Sequence, residues 1–112
     1  MLSALPAQAV SASVVISEVY GGGGNSGAIW KNDFVELYNR SDAAVDVSGW
    51  VVQYFSAGAT SPIPASGNTA TLSGSVAPHH TYLVEMGAGA NLLATPLPTP
   101  DATGGAAMSG SN

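Results

Sequence analysis

Three short runs rich in β-branched and aromatic residues, Val14 to Tyr20 (VVISEVY), Phe34 to Asn39 (FVELYN) and Trp50 to Phe55 (WVVQYF), constrain this chain more than any other feature. Such residues fit a pleated, half-buried surface, and turn-forming residues bound each run. Between the second and third, Val45 and Val47 alternate with Asp46 and Ser48, the pattern of a strand with one wet face. Thr69 to Val76 and Thr81 to Met86 (TYLVEM) read as further strands, separated by Ala77-Pro78-His79-His80. Ser56 to Asn68 reads as a long loop, and Pro96, Pro98 and Pro100 lack the amide donors a central strand needs. Strands at intervals of roughly ten to fifteen residues, with no helical periodicity, predict an all-β sandwich or barrel.

A chain of 112 residues holds one domain with one modest core. Only 8% of its residues are charged, against about 25% in an ordinary soluble domain. Lys31 and Arg40 are its two basic residues against seven acids, a net charge of −5. Binding a run of phosphates requires several cations on one face, so nucleic acid and anionic membrane are poor partners for this segment. The absence of cysteine removes disulfides, thiolate metal sites and a cysteine nucleophile. No apolar run reaches the length of a membrane-spanning helix.

Residues 1–12 (MLSALPAQAVSA) stand apart. Ala7-Gln8-Ala9 and Val10-Ser11-Ala12 fit the small-x-small pattern of a signal-peptidase site, although no basic segment precedes them. They read either as the remnant of a secretory signal peptide or as a disordered, Ala-rich terminus. Residues 13–112 then form the domain.

The glycine-rich stretch Tyr20-Gly21-Gly22-Gly23-Gly24-Asn25-Ser26-Gly27 admits three readings. Gly22, Gly24 and Gly27 satisfy G-x-G-x-x-G after a strand, with Asp46 about twenty residues on. A dinucleotide site needs a helix to open there, and the chain instead runs into AIWKNDFVELYN, which reads as strand. A Walker loop fails too, since Ala28-Ile29 follow Gly27. A linker joins autonomous units, whereas these flanking strands need one another's hydrogen bonds. The stretch is therefore expected to connect two strands of one sheet.

The segments ISEVYGGGGNSGA, KNDFVELYN, VDVSGW and LPTPDATG together resemble the lamin tail domain as it occurs in exported bacterial proteins. The resemblance spans about Val14 to Ser109 and implies an immunoglobulin-like β-sandwich serving as an accessory module, often beside an endonuclease/exonuclease/phosphatase-type catalytic domain. It supplies no catalytic residue. It also implies further strands beyond AMSGS, so the sandwich is expected to be partial, with its C-terminal strands missing. A chain of that kind invites strand exchange into a dimer.

Among residues able to carry chemistry, Glu18 lies on the first strand and Asp33 and Glu36 on or beside the second, where a hairpin could bring the three together for a calcium ion. The competing reading makes Glu18 and Glu36 the solvated positions of half-exposed strands. His79-His80 reads as an exposed turn rather than a zinc site, for want of a third ligand. Trp50 has two readings, an anchor of the core between sheets or an exposed platform for carbohydrate or protein, and its place at the head of VVQYF favours the core. Trp30 and Asn25, beside and within the glycine loop, are the contact candidates. Asn39-Arg40-Ser41 is formally a glycosylation sequon.

These readings converge on a non-catalytic interaction or positioning module of an exported bacterial protein, with no obligatory cofactor and with a protein or a cell-surface or extracellular ligand as partner. The alternatives are an N-terminal fragment of a secreted enzyme of the endonuclease/exonuclease/phosphatase type, and a calcium-dependent adhesion module.

Overall fold

A computed structural model describes residues 12–55, 58, 60, 68–91, 93–105 and 108. All but the last residue of the proposed leader, most of the expected 56–68 loop and the residues after Met108 lie outside the described residues.

Every regular element among them is a strand. The order is β1 (Val14–Tyr20), β2 (Asn32–Asn39), β3 (Val45–Asp46), β4 (Val51–Gln53), β5 (Thr69–Thr71), β6 (Ser75–Val76), β7 (Thr81–Ala88) and β8 (Ala102–Thr103). The run Trp50 to Phe55 yields only the three-residue β4, whereas the three long strands are β1, β2 and β7. They build a four-stranded sheet in the order β1-β2-β7-β8, antiparallel except for β7 and β8. The ladders β3-β6 and β4-β5 form the opposing layer. The proline-rich segment contributes no strand until β8, two residues long at the sheet edge, as missing amide donors require.

Alternation along the strands decides what is buried. Val35 and Leu37 of β2 pair with Val84 and Tyr82 of β7 and point inward. They meet Val47, Ala70, Leu72 and Val76 from the other layer in one continuous core. Burying side chains of this size stabilises by about 1.5–3 kcal/mol each, and this apolar contact holds the layers together. The result is an immunoglobulin-like β-sandwich.

Trp50 departs from expectation. It is 38% exposed and lines a shallow groove with Ile16 and Val51. Its amide donates to Val47 O at 2.9 Å across a tight turn in which Gly49 has φ +83°, so the ring precedes the strand and escapes its alternation. Val52 and Tyr54 pack on the core instead.

Two polar side chains are buried inside. Asn39 is 0% exposed and uses its whole amide: Nδ2 donates to Ala43 O at 2.8 Å and Val76 O at 2.9 Å. Its Oδ1 accepts from Ser41 N at 3.0 Å and Ser41 Oγ at 2.7 Å. The sequon asparagine is thus a structural knot, with no amide free for a glycan. Tyr82, 4% exposed, donates its hydroxyl to Ser73 O at 2.7 Å and ties β7 to the turn before β6.

Candidate functional site

The glycine loop is packed rather than open. Gly23 lies so close to β2 that an added Cβ would fall 2.1 Å from the carbonyl carbon of Asn32. Gly24, at φ +74°, abuts Gly89 at the end of β7, where a Cβ would stand 2.4 Å from the Gly89 nitrogen. Its amide donates to Trp30 O at 2.8 Å, and its carbonyl accepts from Asn91 N at 2.9 Å. Asn25, exposed at the tip, accepts on its backbone oxygen from Ala28 N at 3.0 Å and Asn91 Nδ2 at 3.2 Å. The expected inter-strand connection is what forms.

Asp33 stands where a loop-bound anion would otherwise stand. It is 2% exposed, its Oδ1 accepts from Gly23 N at 2.5 Å, and its Oδ2 accepts from Met108 N. A buried carboxylate thus supplies the anion that loop amides would otherwise seek. Asp33 clamps the glycine loop to β2 and holds residue 108 against the same point.

The β1-β2 hairpin does bring Glu18 and Glu36 together, as registered partners. Asp33 is three residues from Glu36 on one strand and so faces the interior, while both glutamates face outward. Among the described residues, no group of three or more His, Cys, Asp and Glu side chains is placed to hold a metal ion. Ser17, at a bulge in β1, donates its hydroxyl to Glu36 Oε1 at 2.7 Å. Glu18 and Glu36 line a cleft of about 540 Å³ on the outer face of the large sheet, with Trp30, Phe34, Leu97 and Asp101 among the other lining residues.

The cleft wall is strapped at both ends. Near one end Trp30 bridges Thr95: Lys31 N donates to Thr95 O and Thr95 N to Ile29 O, each at 2.8 Å. At the other, Asp101 N donates to Leu83 O at 2.8 Å while Leu83 N donates back to Asp101 Oδ2 at 2.8 Å. The segment between them includes the prolines, whose fixed φ stiffens it. Phe34 stacks on Tyr20 with ring centroids 5.3 Å apart, and Tyr20 Oη accepts from Ile29 N at 3.3 Å, fixing the floor beneath Trp30. Trp30, the expected contact residue, lies in this cleft; the Thr95 bridge that holds it there joins positions too distant in sequence for any local pattern to announce.

The histidines sit where a turn puts them. His79, at φ +56°, places Nε2 2.8 Å from Asp42 Oδ1 and Nδ1 3.4 Å from Tyr38 Oη, and His80 Nδ1 lies 2.7 Å from Pro78 O. Asp46 accepts from Ser48 N at 2.9 Å; this bond, then the Ser48 hydroxyl, holds its carboxyl below the ordinary aspartate value against a slight opposing effect of burial. Among the described residues, no helix is long and apolar enough to cross a membrane.

Comparison with curated proteins and with solved structures finds no match to this chain. The sandwich, its packed glycine loop and the Asp101 strap together contain the segments that resembled one family, and the family model for the lamin tail domain matches residues 7–112. The chain belongs to the lamin tail domain family.

Proposed function

We propose that the chain is a non-catalytic interaction or positioning module of an exported bacterial protein, and that the outer-face cleft is its contact surface. The observation that carries this reading is the strapped cleft itself. Trp30 and the 97–101 wall are held by backbone bonds at both ends, so they present a preorganised surface that loses little freedom on binding. The deeply buried carboxylate, Asp33, is committed to the fold. Export is supported by the small-x-small motifs at Ala7 to Ala9 and Val10 to Ala12.

A photo-crosslinking residue placed at Leu97 in the exported chain tests the contact surface. It should yield a discrete protein adduct outside the cell that the same probe at Asp42 does not. Identical adduct patterns from both positions contradict the reading. The purified chain should also leave DNA and phosphate esters intact, and turnover that follows the chain through purification would make it an enzyme. A calcium-dependent reading rests on Glu18 and Glu36 without Asp33, and equal melting temperatures in calcium and in chelator exclude it.

A further inference from the structure

The outer-face cleft has a chemical character that selects its ligand. Glu18 and Glu36 are directly paired across β1 and β2, an arrangement that places Cβ atoms about 4.5–5.5 Å apart and makes like charges repel. Glu36 is bonded by Ser17, whereas the Glu18 carboxylate has no partner among the described residues. Asp101 adds a third carboxylate to the lining, with one oxygen already on Leu83 N. Among the described lining residues there is no lysine or arginine, and the whole chain has two. A sheet face that sets two carboxylates side by side without a cation costs stability, and a cation entering between them removes that cost.

The rest of the lining matches the remainder of a basic side chain. Trp30 and Phe34 are aromatic, and the Trp30 face attracts a cation. Leu97 supplies apolar surface for the methylene stem of lysine or arginine, whose charged head then reaches the carboxylates. An anionic ligand is repelled, and a bare calcium ion, which takes six to eight oxygens, gains nothing from the aromatic wall.

We propose that the cleft docks a basic segment of a partner protein, seating a lysine or arginine side chain between Glu18 and Glu36 with its stem against Phe34, Leu97 and Trp30. This rests on the reading of the chain as a binding module whose contact surface is the cleft. Charge complementarity selects the occupant.

Calorimetric titration of the purified chain with an oligolysine peptide, and with an uncharged oligoserine peptide, tests it. Saturable binding of the oligolysine alone is expected, weakening as salt rises. Glu18→Gln/Glu36→Gln should weaken it about tenfold, the equivalent of two exposed charge contacts. Asp42→Asn/Asp46→Asn removes the same formal charge outside the cleft and should leave affinity within about twofold. Trp30→Phe, which keeps an aromatic face, should bind more tightly than Trp30→Leu. Equal weakening by the two charge-removing pairs reduces the effect to net charge and overturns the proposal, as does binding of neither peptide. If the Leu97 crosslink captures a partner while oligolysine does not bind, the basic-segment proposal falls and the module reading stands. Failure of both removes both.

Discussion

Glu18 of β1 stands directly opposite Glu36 of β2 on the outer face of the sheet, while Asp33, on the same strand as Glu36, is turned inward and bound to two backbone amides. Carboxylates that lie close in sequence thus have separate work. One kind closes the fold and the other stays on the surface, at the cleft.

Asp33→Asn should destabilise the domain by about 2–4 kcal/mol, since charge-assisted hydrogen bonds contribute about 1.5–3 kcal/mol each. The asparagine can accept from only one of the Gly23 and Met108 amides, and its NH₂ confronts the other donor. Urea unfolding of the variant beside the parent measures this. A loss below about 0.5 kcal/mol contradicts the clamp.

Asn39→Asp should cost about 3 kcal/mol or more. It replaces the Nδ2 donor to Ala43 O and Val76 O by an oxygen facing oxygens at a position with no solvent exposure. Thermal unfolding should show a lower midpoint, whereas Arg40→Ala, at an exposed neighbour, should change stability much less.

Gly24→Ala and Gly27→Ala separate crowding from conformation. Both glycines have positive φ, at +74° and +81°, so each substitution carries a backbone cost of about 1–2 kcal/mol. Only at Gly24 does the new Cβ meet backbone, that of Gly89 and Lys31. Gly24→Ala should therefore be the more damaging by about 1–3 kcal/mol in chemical denaturation.

Asp46 gives an acid-side prediction. Its pKa is lowered in the folded state by the Ser48 amide and hydroxyl. Its stabilising contribution is then present above the unfolded value, about 3.9, and is lost as pH falls through the lower folded value. Asp46→Asn should flatten the decline of stability below about pH 4 and leave the slope near neutrality unchanged. An unaltered acid limb contradicts the assignment.

Much of this architecture is legible in the residues. β1, β2 and β7 are runs whose β-branched and aromatic content has no helical alternative, and the hairpin that pairs Glu18 with Glu36 follows from their adjacency. Strand parity also separates Asp33 from Glu36, three positions apart on β2, and so divides the expected three-carboxylate set between the two faces of the sheet. What was hidden is nonlocal. The Trp30-Thr95 bridge, the Asp101-Leu83 strap and the Asn39 knot all join positions distant in sequence or masked by commonplace motifs. Trp50 misled because a turn, not a strand, governs where its ring points.

The most direct test of the account is residue-resolved. Amide chemical shifts recorded during titration with oligolysine should move at Glu18, at Phe34 to Glu36, at Leu83 and at Thr99 and Asp101, the backbone beneath and beside the cleft. Shifts concentrated instead at Ile16, Trp50 and Val51, around the groove at the β1 edge, or spread evenly over the surface, would contradict the assignment of the outer-face cleft as the binding site.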